Sequence, residues 1–405
     1  MSIEVERVPL RSLTTKIGSG VTPKGGSEVY TETGPILIRS QNVNSERLIL
    51  DDIARLPCAV HERMKSSSVI ANDVLLNITG ASIGRSCVMP EGIGEANVNQ
   101  HVCIIRCKDT LNPSYLQLWL ASAEGQRIIE KLSAGGSREG LNFQQIGGIR
   151  VPASERAHQD AIVKVANAFA SHLLSIDRAI DAKRYFRRGL MQQLLTGKRR
   201  FLEFQSIPWT KSTIGTLFEQ VERPVIWDES ATYTLVSVRR RSGGLFLRAK
   251  KRGSQIKVKS LYVLREGDIL ISTRQVVHGA ISLVPAEFDG AHVSGEYLTL
   301  VARKSEVVST RYFDFLSRLP RMYHASFLAS YGVDIEKLTF NPRWYLATTI
   351  DLPPSLEEQH RIISALEACD RELLLLTAQR EMVAILRRAV LSRLLSGELA
   401  VPASP

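Results

Sequence analysis

Two long stretches of this chain carry the same apolar stripe. From Glu155 to Thr196 there is no proline and one glycine, Gly189. A 4-3 spacing from Ile162 falls on Ile162, Ala166, Phe169, Leu173, Ile176, Ile180, Lys183, Arg187, Leu190 and Leu194, all apolar except Lys183 and Arg187. The same spacing from Ile362 falls on Leu366, Cys369, Leu373, Leu376, Arg380, Val383, Arg387, Val390 and Leu394, again with two basic exceptions. Such a stripe predicts a helix with a coiled-coil seam. About 40 residues at about 1.5 Å each span about 60 Å, and an amphipathic helix that long needs something against its seam. The other copy of the stripe is the economical partner. Gly197 and Gly397 supply the helix stops. The long helices are therefore placed at 155–198 and 355–398, with a short tail at 399–405.

Short apolar runs bounded by glycine, proline and asparagine fill 1–154 and 199–354 and predict strands. They include Ile36 to Ile38, Val74 to Ile78 and Val102 to Ile105 in the first stretch. The second has Tyr233 to Val236, Asp268 to Ile271 and Tyr297 to Val301. A single helix is expected over Pro113 to Leu132. The fold class is α+β, built from two similar α/β domains and two long helices.

The two halves are copies. Gln159 to Gly197 matches Gln359 to Gly397 at an offset of 200, and Asp73 to Leu76 matches Asp268 to Ile271 at an offset of 195. At that second offset Gly84 meets Gly279, Ala96 meets Ala291 and Val98 meets Val293. The framework agrees while the loops differ, which suggests one scaffold carrying two binding surfaces of one class. A pseudo-twofold chain suits a pseudo-twofold partner, and duplex DNA is one.

Charge strengthens that reading. The 405 residues carry a net charge of +11, with a pI near 9.5, which favours a polyanionic partner. From Arg239 to Lys259 there are nine basic residues and no acid. Clustering of one sign over such a run reads as a phosphate-facing surface. No apolar run is long enough to span a membrane, and the first residues do not form a signal peptide. The odd, scattered set Cys58, Cys87, Cys103, Cys107 and Cys369 reads as reduced thiols in a cytoplasmic protein.

Signatures of catalysis are missing. There is no Asn/Asp-Pro-Pro-aromatic loop for amine methylation, no phosphate-cradling loop, no nucleophile elbow and no metal-ligand spacing. Gly18 to Lys24 approaches a phosphate loop, but Pro23 occupies the position of its second glycine. No cofactor and no metal are expected, and the chain reads as a binding protein. Base edges are read by Arg, Lys, Asn and Gln. Arg39, Gln41 and Asn42 follow a strand signal, and Arg138 follows Gly135-Gly136. Thr79 and Ser82 lie in the loop that stands where the second copy has Arg274 and Gln275. Thr22 lies in the first turn, and Arg239 and Arg241 open the basic run. Lys24, Lys250, Lys251 and Arg252 suit phosphate positioning, which carries no sequence information.

The chain resembles the specificity subunits of type I restriction-modification systems along nearly its whole length. The resemblance rests on Val8-Pro9-Leu10 with the Gly18 to Pro23 turn, and on Asp73 to Leu76 followed by Gly80 to Gly84. It rests also on Leu141-Asn142 leading to Ile149 to Pro152, and on the string Pro353 to Gln359. It implies two target recognition domains, at 1–154 and 199–354, separated by two long helices that pair as an antiparallel coiled coil. Each domain would read one half of a bipartite, asymmetric double-stranded DNA site, and the helices would set the unread spacer. Two modification subunits would dock on the helices and methylate adenine. Restriction subunits would add ATP-driven translocation and cleavage. The chain itself would hold no catalytic residue. The alternative is an interaction scaffold whose helices dock proteins and whose charge is incidental.

Overall fold

The computed structural model describes residues 6–45, 47–134, 140–335 and 338–401. No helix among them is long and apolar enough to cross a membrane. The chain divides into two compact units, 1–177 with 379–405, and 178–378. Both divisions fall inside the long helices, Arg156–Leu194 and Leu356–Leu395.

Unit 1 contains two four-stranded sheets. One runs in the order Thr14–Ser19, Val102–Cys107, Val74–Asn77, Ser86–Val88, all antiparallel. The other runs Ala54–Arg55, Thr31–Ile38, Ala96–Val98, Ser68–Val69, with a parallel pair at its centre. A ribbon of Arg7–Pro9 with Arg150–Pro152 joins the two ends of the domain. Unit 2 repeats this strand for strand. Its sheets run Phe218–Gln220, Tyr297–Ala302, Ile269–Ser272, Ile281–Leu283, and Leu245–Arg252, Thr232–Val238, His292–Ser294, Leu261–Val263. Its ribbon is Thr210–Thr213 with Thr349–Leu352.

The matched run at 73–76 and 268–271 is the keel of each unit. Successive residues of a strand face opposite ways. Val74 and Leu76 join one apolar cluster while Leu75 joins another, and Ile269 and Ile271 separate from Leu270 in the same way. Covered on both faces, each strand is apolar through its first three residues and ends on a buried polar one, Asn77 or Ser272. The aspartate before it is buried and bonded in both copies. Asp73 accepts from the Ile70 amide at 2.8 Å and pairs with Arg106 through two bonds of 2.8 Å. Asp268 accepts from the Arg265 amide at 2.8 Å and pairs with Arg223 at 2.7 and 3.1 Å. The arginine comes from the strand Val102–Cys107 in unit 1 and from the irregular segment after Phe218–Gln220 in unit 2, so the sequence repeat shows the acid and conceals its partner.

Each long helix begins on a buried glutamine. Gln159 accepts from the Asn112 amide and donates to the Thr110 and Ser154 carbonyls. Gln359 accepts from the Ser309 amide and donates to the Val307 and Pro353 carbonyls. Asn112 and Ser309 are themselves the caps of the helices Pro113–Leu120 and Thr310–Ser317. The same amide thus ties the long helix to the same capped turn in both units.

The apolar stripes meet within each unit. In unit 1, Ile162 and Ala166 share a core with Leu391 and Leu394. In unit 2, Met191 and Leu194 share a core with Ile362 and Leu366. These pairings run antiparallel, and three of the four basic exceptions of the stripe find acids across it. Arg187 pairs with Asp370, and Lys183 with Glu372, in unit 2. Arg380 pairs with Asp177 at 2.6 Å in unit 1. The stripe drifts at its end, where Met191 and Leu391 are buried and Leu190 and Val390 only half-buried. An α-helix falls about 20° behind a strict seven-residue repeat per heptad, which moves the seam by one position.

The helix expected over Pro113 to Leu132 is two, Pro113–Leu120 and Ala123–Ala134. The break is made by Ser122, whose hydroxyl donates to the Trp119 carbonyl and accepts from the Gly125 amide. The five cysteines are free thiols. Burial pushes the Cys87, Cys103 and Cys107 thiols up to about 12, so they stay protonated at neutral pH.

Candidate nucleic-acid interface

In unit 1 most of the expected reading residues are drawn together by Asn77, at the end of the keel strand. Its Nδ2 donates to the Ser40 carbonyl at 2.8 Å and to the Ser82 hydroxyl at 3.1 Å. This holds the 39–42 turn beside the 80–82 turn. Arg39 and Gln41 then converge on Asp52. Arg39 bonds the Asp52 carbonyl at 3.2 Å and its carboxylate at 3.4 Å, and Gln41 donates to that carboxylate at 2.5 Å. Asn42 belongs to a different class. It is 1% exposed, accepts from the Arg39 amide and donates to the Ile49 and Asp52 carbonyls. Its amide is committed to the turn and buried, so it braces the loop and does not face a base.

Thr22 and Thr79 are joined through two residues that the sequence did not single out. The Thr22 hydroxyl bonds Gln100, Gln100 bonds His101 Nε2 at 3.0 Å, and His101 Nδ1 bonds Thr79. With the Gln100 amide donating to Nε2, Nδ1 carries the proton and donates to the Thr79 hydroxyl. Lys24 is exposed in the Thr22 turn. Arg138 lies outside the described residues.

Unit 2 has different chemistry at the same places. The Ile78 amide donates to the His101 carbonyl at 3.0 Å, and the Thr273 amide donates to the Glu296 carbonyl at 3.0 Å. These are one backbone bond in two copies, so Thr79 and His101 correspond to Arg274 and Glu296. The latter form an exposed, two-bonded ion pair, which raises the Arg274 guanidinium and holds the Glu296 carboxyl below its usual range. Next to it Arg240 donates to Gln275 at 2.6 Å. Arg241 and Ser242 turn the hairpin with φ of 58° and 53°, a left-handed conformation that costs side-chain-bearing residues about 1–2 kcal/mol each. Two main-chain bonds hold them there, to the His278 and Gly279 carbonyls at 2.7 and 2.8 Å. Arg239 lies over the Phe246 ring at 4.6 Å.

Lys250, Lys251 and Arg252 lie away from the Arg241–Ser242 turn, although Lys251 shares a cleft lining with Glu296. They stand at the far end of Leu245–Arg252, about 20 Å from the turn at about 3.3 Å per residue. That strand is the edge of its sheet, where charge also blocks pairing with other chains. Sequence reading missed Asp52, Gln100, His101 and Glu296. The signal for the last two was present, since 101 and 296 stand at the offset of 195 that aligns the framework.

The duplicated sheets thus carry unlike polar loops on one framework, and the long helices pair along their seams within each unit. Comparison with known proteins shows what the chain resembles. No protein-family model matches the chain. A chain named as the type I restriction enzyme MjaX specificity subunit of Methanocaldococcus jannaschii is 22% identical over 418 residues, covering 97% of this chain and 93% of the relative. The EcoBI specificity subunit of Escherichia coli is 27% identical over 148 residues, covering 36% of this chain and 30% of the relative. In fold, the chain matches the S subunit of a type I system from M. genitalium with a TM-score of 0.52 at 14% identity, covering 100% and 98% of the two chains. It matches the HsdS subunit from Thermoanaerobacter tengcongensis with a TM-score of 0.57 at 15% identity, over 97% of each. A third match, at 0.62 and 15%, is a chain whose structure addresses complex assembly and conformational transition of the type I R-M system, covering 98% and 100%. The resemblance read from the sequence is borne out by these comparisons: the chain is similar along nearly its whole length to a type I specificity subunit and shares the fold of solved S subunits.

Proposed function

We propose that this chain selects the DNA sequence for a type I restriction-modification complex, with 1–154 and 199–354 acting as target recognition domains, one for each half of a bipartite, asymmetric site. The observation that carries this is the equivalence of Thr79–His101 and Arg274–Glu296: one framework, one position, opposite chemistry. Arg39, Gln41, Thr22, Thr79 and Ser82 would read in unit 1, and Arg239, Arg241, Arg274 and Gln275 in unit 2. Catalysis belongs to its partners, two modification subunits that methylate adenine and the ATP-dependent restriction subunits. The long helices support docking of the former. They expose Leu174, Met382, Ile385 and Leu386 in unit 1, and Tyr185, Phe186, Leu374 and Leu375 in unit 2. Apolar side chains grouped on a surface in this way mark interaction sites.

The test is a methylome. The chain is expressed with the modification subunit encoded beside it, in a host lacking other adenine methylation. One gapped, asymmetric N6-methyladenine motif is expected. No methylation beside a modification subunit proven active would favour the scaffold reading. In the same assay, four residues inserted into both long helices at matched positions add about 6 Å. The spacer should grow by one or two base pairs at about 3.4 Å each, and an unchanged spacer would remove the helices as its ruler.

A further inference from the structure

The second sheet of each unit has a face that is filled in one copy and open in the other. The register identifies equivalent positions. Asn97 lies between Leu37 and Ser68, as His292 lies between Leu235 and Val263. In unit 1 the connection between the two edge strands forms the helix Cys58–Arg63 and the turn Lys65–Ser67. Leu56 and Met64 close over Leu37, which is fully buried. Asn97 is fully buried too, bonded to His61 at 2.6 Å, to the Met64 carbonyl at 2.9 Å and to Ser67 at 3.0 Å. In unit 2 the corresponding connection has only the turn Gly253–Gln255 followed by an irregular stretch. A cleft of about 890 Å³ opens over Leu235 and His292 instead.

The chemistry of that cleft is asymmetric. Leu235, Ile256 and Tyr297 give it an apolar lining, and Arg248, Lys251 and Lys257 give it a cationic rim. None of the three cations pairs with a carboxylate among the described residues. The one acid on the lining, Glu296, is already engaged by Arg274. His292 is half-buried, and that burial lowers its imidazole below the ordinary value against a raising backbone contact with Thr234, so it adds no charge at neutral pH. A cationic rim beside an apolar lining fits a chain that alternates anions with apolar rings, and the deoxyribose-phosphate backbone alternates in this way.

We propose that this cleft grips the phosphodiester backbone of one DNA strand without reading bases, and that unit 1, its equivalent face filled, has no such grip. The proposal rests on the DNA-reading function above and adds that the two half-sites are held unequally. Phosphate contacts fix position, and each one released lowers the salt dependence of binding by about 0.9 in the slope of log K against log salt.

The assembled complex of this chain with its modification subunits would be titrated with duplexes, one carrying the methylated motif and one scrambled, across a salt series. Arg248→Gln, Lys251→Gln and Lys257→Gln together should weaken both duplexes by a similar factor. The slope should become shallower by about 2.7 for three phosphates, with the methylated motif unchanged. A charge-keeping variant, Arg248→Lys with Lys251→Arg and Lys257→Arg, should keep the slope, which separates charge from misfolding. An unchanged slope in the neutral variant overturns the proposal, and so does a shift in the motif, which would make these residues readers. A wild-type complex with no salt-sensitive DNA binding would instead sink the DNA-reading function itself.

Discussion

Replacing Gln359 with alanine should destabilise unit 2 by about 3 kcal/mol, because three backbone groups lose their side-chain partner at once, at about 1 kcal/mol for each bond. The amide oxygen takes the Ser309 N–H at 2.9 Å, and the amide nitrogen serves the Val307 and Pro353 carbonyls at 2.9 and 3.0 Å. Gln359 is fully buried, and its bond to the Pro353 carbonyl is buried with it. A buried polar group left unpaired costs about 1–3 kcal/mol. For a body of about 200 residues each kcal/mol moves the midpoint by about 2–4 °C, so a fall of about 6–12 °C is expected in the unfolding transition of unit 2. Gln359→Glu should not rescue it. A carboxylate accepts from Ser309 but has no hydrogen to give the two carbonyls, and it brings a charge into a dry site. Gln159→Ala should reproduce the loss in unit 1, where the bonds are the same in kind. Differential scanning calorimetry of the two variants checks this, and a shift under 2 °C in both would show that the glutamines do not hold the helix starts.

The glutamine illustrates what the sequence could and could not disclose. Periodicity announces the helices because a seam repeats over many turns, and the copy at an offset of 200 announces their pairing. The strands at 74 and 269 are visible because burial on both faces demands an unbroken apolar run. What a glutamine or an aspartate bonds to is invisible, since its partners are backbone groups some 50 residues away, or arginines that differ between copies, Arg106 and Arg223. The interface divides in the same way. Loops that differ between copies can be seen by alignment, so Thr79, Ser82, Arg274 and Gln275 emerge from the sequence. Asn42 looks like a reader by residue type, and only its three bonds show it to be a brace. The basic run at 239–259 reads as one surface, yet the strand geometry splits it into a turn, an edge and a cleft rim.

Exchanging the facing pair should move the target of one unit and leave the other alone. Arg274→Thr with Glu296→His gives unit 2 the chemistry that unit 1 carries at Thr79 and His101. A paired arginine presents two parallel donors, suited to guanine, whereas a threonine hydroxyl and an imidazole select far less sharply. The Glu296 carboxylate fixes the direction of that fork before DNA arrives, so Glu296→Gln alone should blur the same position. A good bidentate contact discriminates by about 1–3 kcal/mol. The variant should therefore lose about 5- to 150-fold in methylation preference at one base pair of the unit 2 half-site. The unit 1 half-site and the spacer should persist, because the exchange touches neither Thr79 nor the long helices. Misfolding would not imitate this outcome: the pair is exposed, such ion pairs contribute little to stability, and a misfolded unit would abolish methylation and not redirect it. The reciprocal exchange, Thr79→Arg with His101→Glu, sharpens the test, since it should alter the other half of the motif. Methylomes of the two variants that both match the wild type would show that these positions do not read DNA. Changes confined to the same half-site in both would mean that the two domains do not read independently.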